Sequence, residues 1–272
     1  MKQRRLIAAV LAMGTLLLSS CRKDEDQAVL EAVDLKNESL NSFVDKNLSA
    51  DEEAASLKNM TGGSVCGWGV YFSDCASITE DSETFPKTIT IDFGDGCTGP
   101  NGITRSGIMY VHLTAPMDET GAIRTVTFEN YQINSISVTG SRVTTNLGAN
   151  DDGHPQFSRE VNIAFTQNGS TFTRQFSSVL TWLSGYDTEE CFDNSWMMTG
   201  SGTGTRPDGT VVPRVITSPL YYSHECGYIY QGVMQSTPPV GNITVDYGNG
   251  TCDNYATVTG PNGNTFTIEL NP

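Results

Sequence analysis

The chain has 272 residues, of which 38% are hydrophobic and 9% aromatic, enough to bury the core of one large domain or two small ones. Charged residues make up only 17% while glycines number 27, a balance that suits strands and tight turns and argues against a helical bundle. With 16 Lys plus Arg against 31 Asp plus Glu the formal charge is −15, so nucleic-acid phosphates would be repelled and that class of partner is set aside.

Residues Met1-Lys2-Gln3-Arg4-Arg5 form a basic start, and the apolar run from Leu6 to Leu18 that follows is too short to span a bilayer as a helix. This is the pattern of a signal peptide over residues 1–20. The run closes on Leu18-Ser19-Ser20-Cys21, which resembles the lipobox of bacterial lipoproteins. That resemblance implies cleavage before Cys21 and acylation of its sulfur and amine. Acyl burial is worth about 0.8 kcal/mol per CH₂ and stable anchoring takes two chains or more, so a triacylated cysteine would stay in its leaflet. Arg22-Lys23-Asp24-Glu25-Asp26 then resembles the lipoprotein export signal of Bacteroidota, with Lys23 followed by Asp24 and Glu25. The resemblance implies an outer-membrane lipoprotein facing the cell surface, with the membrane as its first partner. Cleavage would remove Lys2, Arg4 and Arg5 and no acid, taking the formal charge from −15 to −18.

Residues 21–60 read as a lipidated acidic tether. Val29, Leu30, Val33, Leu40, Phe43 and Val44 fit helical spacing in part, and Ser49 with Glu52 makes a capping box ahead of Ala54, Ala55 and Leu57. Short helices are expected there, either formed outright or formed on docking against the rest of the chain.

The segment 61–272 reads as one antiparallel β-domain. From Thr88 to Phe93 apolar and polar residues alternate with period two. Similar runs follow at Ile108 to Leu113, Ile123 to Ile133, Ile136 to Thr144, Val161 to Phe165, Phe172 to Leu183, Val211 to Ile216, Tyr228 to Met234, Ile243 to Tyr247, Tyr255 to Thr259 and Thr265 to Leu270. Pro100-Asn101-Gly102, Pro207-Asp208-Gly209 and Pro261-Asn262-Gly263 have turn chemistry, and Asn168-Gly169 suits a two-residue hairpin. No crossover helix is expected after residue 60, which leaves a sandwich, an open barrel or a curled meander.

Ile89-Thr90-Ile91-Asp92-Phe93-Gly94-Asp95-Gly96 is repeated as Ile243-Thr244-Val245-Asp246-Tyr247-Gly248-Asn249-Gly250, each copy followed by a cysteine and later by Gly-Pro-Asn-Gly. Two equivalent strand-turn units are expected, and pairing between them would bring the ends of the domain together. Thr90-Ile91-Asp92-Phe93-Gly94, Arg105-Ser106-Gly107 and Asn249-Gly250-Thr251-Cys252-Asp253-Asn254 make residues 85–270 resemble an uncharacterised family of β-rich Bacteroidota lipoproteins. That resemblance implies a class and no chemistry.

Apart from Cys21 there are six cysteines, Cys66, Cys75, Cys97, Cys191, Cys226 and Cys252, an even number suited to disulfides in an oxidising compartment. Cys226 is expected to pair with Cys252, and Cys66 with Cys75 or Cys97. No C-x₂-C pair suggests zinc, and no metal or cofactor is expected.

Gly94-Asp95-Gly96-Cys97-Thr98-Gly99 matches G-x-G-x-x-G literally, but a turn sequence follows where a dinucleotide site needs a helix. His112, His154 and His224 are isolated, and no nucleophile elbow is present. Asp187, Glu189, Glu190 and Asp193 cluster without the spacing of a calcium loop, and read as a solvated loop. Asp92 and Asp246 are expected to brace their turns. Trp68, Trp182 and Trp196, with Tyr221, Tyr222, Tyr228 and Tyr230, offer either core packing or a stacking platform for sugar rings, core packing being the stronger reading. The expected function is that of a non-catalytic envelope lipoprotein in a structural or binding role. The alternatives are a glycan-binding accessory protein, which needs an exposed aromatic row, and a polysaccharide hydrolase, which needs two close carboxylates or a triad.

Overall fold

The computed structural model describes residues 75–99, 102–188 and 192–270. Among these residues there is no helix, and fourteen strands form one open antiparallel sheet. In chain order they are β1 (Ser77–Glu80), β2 (Lys87–Asp92), β3 (Cys97–Thr98), β4 (Thr104–Leu113), β5 (Ile123–Ile133), β6 (Ile136–Ala149), β7 (Pro155–Gln167), β8 (Ser170–Ser184), β9 (Ser195–Thr205), β10 (Val211–Ser223), β11 (Ile229–Ser236), β12 (Ile243–Asn249), β13 (Tyr255–Thr259) and β14 (Thr265–Glu269). Each strand pairs with its sequence neighbours, except that β3 attaches to β4 beside β2. Of the three architectures left open by the sequence, a sandwich of two sheets is not what the described residues form, and among them no pairing joins β14 back to β1 to close a barrel.

The meander follows from local turn chemistry. Asn168 and Gly169 both adopt positive φ, the geometry that lets a two-residue turn match strand twist, and they join β7 to β8 in register from Gln167 opposite Ser170. The Pro-Asp-Gly and Pro-Asn-Gly turns close as expected, with Gly209 N–H donating to Arg206 O at 2.9 Å and Gly263 N–H to Gly260 O at 3.0 Å. Hairpins that short leave each strand no partner but its neighbour.

Alternation then sorts side chains onto two faces. One continuous row of opposed residues runs Ile89, Val111, Val126, Arg142, Val161, Phe176, Gly202, Arg214, Ser236 and Ile243 across ten strands. This inner face holds the main core, in which Ile89, Ile91, Met109, Val111, Val126, Tyr131, Ile133 and Val138 are fully buried. Full burial of such a side chain is worth roughly 1.5–3 kcal/mol. A second, smaller cluster of Ile243, Val245, Ala256 and Val258 lies on β12 and β13, with Phe266 and Ile268 of β14 packed against it. The opposite, outer face is dominated by Ser, Thr, Asn and Gln. The edge strands β1 and β14 have only four and five residues, which limits unpaired backbone at the margins.

The two sequence repeats are β2 and β12 with their following turns, and the expectation that they pair is overturned. β2 pairs with β1 and β4, while β12 pairs with β11 and β13, so they sit near opposite ends of the sheet. Their equivalence is local. Asp92 Oδ1 accepts from Gly94 N–H at 2.8 Å and Asp246 Oδ1 from Gly248 N–H at 2.9 Å, so each aspartate braces its turn.

Each repeat is also pinned by a disulfide, Cys75–Cys97 in the first and Cys226–Cys252 in the second. The pairing of Cys226 with Cys252 is as expected. Cys66 pairs with neither Cys75 nor Cys97, because β3 brings Cys97 beside the start of β1 and those two cysteines join each other. Cys21, Cys66, Cys191, the export residues Lys23, Asp24 and Glu25, and the helices expected over 21–60 lie outside the described residues.

Candidate functional site

The long strands β6 to β8 and their neighbours β9 and β10 build a shallow groove of about 680 Å³ on the outer face. Its floor is made by outward positions of five consecutive strands: Ser141 and Val143, Glu160 and Asn162, Gln175 and Ser177, Ser201 and Thr203, and Pro213. Registration explains the grouping, since Ser141 faces Asn162, Asn162 faces Gln175, and Gln175 faces Thr203. Hydroxyls and amides therefore converge in a row, and Glu160 is the one carboxylate among the lining residues, accepting from Ser177 Oγ at 2.5 Å. Such a floor presents many hydrogen-bond donors and acceptors and little charge. Sequence reading missed it. Its signal was present in the polar outward positions of each strand, but only the register places them side by side.

A second feature is aromatic. Trp182 of β8 and Trp196 of β9 are opposed in the ladder, stacked 4.5 Å apart and 19° from parallel. Phe157 packs 6.3 Å from Trp196, and the Tyr186 ring meets Trp182 edge-on at 6.3 Å. Trp182 Nε1–H donates to Asn194 Oδ1 at 2.9 Å. Each indole spends one ring face on the other and both are half-buried, so they do not form the exposed row that a sugar platform requires. Trp68 lies outside the described residues. Tyr221 and Tyr222 sit on β10 and Tyr230 on β11, all half-buried, and Tyr222 stacks edge-on against His224.

The histidines remain apart. His112 Nδ1 is 3.2 Å from Thr88 Oγ1 on the outer face of β4, while His154 meets the Tyr186 ring edge-on. Among the described residues no three His, Cys, Asp or Glu side chains group so as to hold a metal ion. Asp193 accepts from Thr188 Oγ1 at 2.8 Å, and Glu189 and Glu190 lie outside the described residues. The literal G-x-G-x-x-G segment runs into β3, so no helix N-terminus stands at its end.

Two groups carry shifted acidities. Tyr110 OH donates to Glu129 Oε2 at 2.6 Å, and that hydrogen bond raises the phenol above its ordinary value, with burial and the charges of Glu129 and Asp92 acting in the same sense. Asp208 is lowered, first by the Thr210 backbone N–H that donates to its carboxylate at 2.8 Å. Tyr110 is half-buried and Asp208 exposed, and each has a structural partner that accounts for its shift.

Comparison with known protein families, with curated proteins and with solved structures finds no match to this chain.

Proposed function

We propose that this protein is an envelope lipoprotein, anchored through Cys21 and facing the cell surface, that acts by binding rather than by catalysis. The observation that carries the binding role is the outer-face groove across β6 to β10, where hydroxyl and amide groups from four consecutive strands, β6 to β9, lie in register beside Pro213 of β10. A floor of Ser141, Asn162, Gln175, Ser177 and Thr203 suits a neutral, hydroxyl-rich ligand, whose polar groups need partners and whose affinity comes from many modest hydrogen bonds. This favours a glycan as the specific ligand, recognised by the polar groove instead of by an aromatic platform. The lipid anchor rests on Leu18-Ser19-Ser20-Cys21 and the surface-facing position on Lys23, Asp24 and Glu25.

The test is a glycan array probed with the mature chain bearing Cys21→Ser, in parallel with an Asn162→Ala/Gln175→Ala variant of it. Selective binding that the double substitution abolishes, with the fold intact, supports the reading. Binding that survives it but disappears in Trp182→Ala moves the site to the aromatic end. No binding at all turns the role to structure or to a protein partner. Separately, Cys21→Ala in the full-length precursor is expected to release the protein from membranes, and retention there would overturn the anchor.

A further inference from the structure

Charge is segregated between the two faces of the sheet. Among the described residues every strand cation lies on the inner, core-bearing face. Lys87 opposes Leu113, Arg105 opposes Ile133, and Arg142 sits between Val126 and Val161. Arg124 and Arg159 flank Thr144, Arg174 opposes Ile163, and Arg214 opposes Gly202, reaching over Gly204 with its guanidinium 3.9 Å from where a Cβ would stand. Only Arg206, in the turn after β9, lies elsewhere. The strand carboxylates Asp92, Glu129, Glu160, Asp246 and Glu269 occupy the outer face, and Glu80 alone lies inside, bridged to Lys87 at 3.0 Å.

Seven cations amid fully buried Ile and Val side chains make an unusual face. Arg142 is only 2% exposed, and a guanidinium so deep is tolerated when anionic groups meet it, since uncompensated burial costs several kcal/mol. None of the six arginines on this face stands without a partner. At the centre of the array Thr144 is 5% exposed and its hydroxyl has no hydrogen-bond partner, so hydrogen-bonding capacity remains there. A one-layer sheet moreover buries a face this completely only against a second layer.

We infer that the occupant of this face is the chain's own acidic segment, residues 22–74. It carries eleven Asp and Glu against five Lys and Arg, and its Val29, Leu30, Val33, Leu40, Phe43 and Val44 supply apolar groups for the rows between the arginines. It leads directly into β1, beside β2 where the core begins. From β2 to β10 the face spans seven strand spacings of about 4.8 Å, roughly 34 Å, well within the reach of 53 residues. The segment that tethers the protein to its lipid thus also supplies the second layer of its fold.

Hydrogen–deuterium exchange on the mature Cys21→Ser chain tests this. Amides within 22–74 are expected to be protected by about tenfold or more over free-chain rates, and to lose most of that protection both in 1 M salt and when Asp24, Glu25, Asp26, Glu31, Asp34, Glu38, Asp45, Asp51, Glu52 and Glu53 become Asn or Gln. The salt arm needs no variant, so it stands even where the substituted chain fails to fold. Free-chain exchange throughout 22–74, with β4 to β8 protected, would overturn the inference. So would protection indifferent to salt and to neutralisation, or a dimer by sedimentation in which the inner face is protected while 22–74 is not, since the occupant would then be a second copy.

Discussion

Trp182 and Trp196 lie directly opposite each other on β8 and β9, ring on ring at 4.5 Å, and the indole N–H of Trp182 is held by Asn194. The pair is a fastener between the longest strand and its glycine-rich neighbour. On the strand positions of β9 that follow it, Gly200, Gly202 and Gly204 turn no side chain toward the core, so the Trp end carries a large share of the β8–β9 contact. Trp196→Ala removes the stack and the Phe157 contact and is expected to cost about 2–4 kcal/mol, below the full-burial range because the ring is half-exposed. Chemical denaturation measures the loss. Circular dichroism should show an exciton couplet from the two indoles that vanishes equally in Trp182→Ala and Trp196→Ala; a couplet surviving either change would mean the rings are not stacked in solution.

Asp92 and Asp246 occupy the same position in the two repeats and make the same bond to the glycine N–H two residues on. Asp92→Ala and Asp246→Ala are each expected to cost about 1 kcal/mol, with Asn at either position recovering most of it, because an amide oxygen also accepts. The two losses should add, since the turns sit near opposite ends of the sheet. Strong non-additivity in a denaturation experiment would show that the repeats communicate.

Period-two alternation made most of this sheet legible: Ile123–Ile133 and Tyr255–Thr259 run as expected from their patterning. Three strands escaped it for separate reasons. β1 and β3 are too short to show a period, and β9, reading Ser-Trp-Met-Met-Thr-Gly-Ser-Gly-Thr-Gly-Thr, replaces inward side chains with glycine and is held as a strand by β8 and β10. The site was hidden more deeply. An arginine at an inward position, such as Arg142 between Gly140 and Thr144, breaks the hydrophobic pattern instead of extending it, and the polar groove exists only once five strands are in register.

Gly140 and Gly232 are among the glycines fixed by close approach to backbone rather than by turns. A Cβ on Gly140, at φ 109°, would stand 2.1 Å from Asn162 O, and one on Gly232, at φ 112°, 2.1 Å from Pro219 O. Both neighbours are backbone in a paired strand and cannot step aside cheaply. Gly140→Ala and Gly232→Ala are expected to cost more than about 2 kcal/mol each, against about 1 kcal/mol for Gly153→Ala, where φ is 85° but the space is open. Equal losses at all three positions, read from denaturation midpoints, would mean that φ alone matters.

Tyr110 and Asp208 predict opposite pH responses. The Tyr110 phenol is raised in the fold, so its contribution is complete below the unfolded tyrosine value of about 10 and disappears as pH climbs through the folded one. Asp208 is lowered, so its contribution is complete above the unfolded aspartate value of about 3.9 and is lost as pH falls through the folded one. Ultraviolet titration, with Tyr110→Phe identifying the step, should find Tyr110 ionising at lower pH in Glu129→Gln than in the parent. An unchanged step would remove the Tyr110–Glu129 hydrogen bond as the cause.

The disulfides close loops of similar size, with sequence separations of 22 for Cys75–Cys97 and 26 for Cys226–Cys252. Loop-closure entropy for a loop of this length is about 3.5 kcal/mol, so replacing either pair by Ser should destabilise the chain by up to that amount. The effects should differ in place. Loss of Cys75–Cys97 frees the edge strand β1 beside the main core, and exchange should quicken first in β1 and β2; loss of Cys226–Cys252 should quicken β12 to β14, whose smaller cluster has fewer buried side chains to hold it. If Cys21 carries the proposed acyl chains, Cys66 and Cys191 are the two cysteines left over. Non-reducing peptide mapping of the mature protein is expected to find them joined, which would tie the acidic segment to the loop between β8 and β9. Recovery of either as a free thiol from carefully oxidised protein would sink that third link, and leave charge and apolar contact to hold the segment alone.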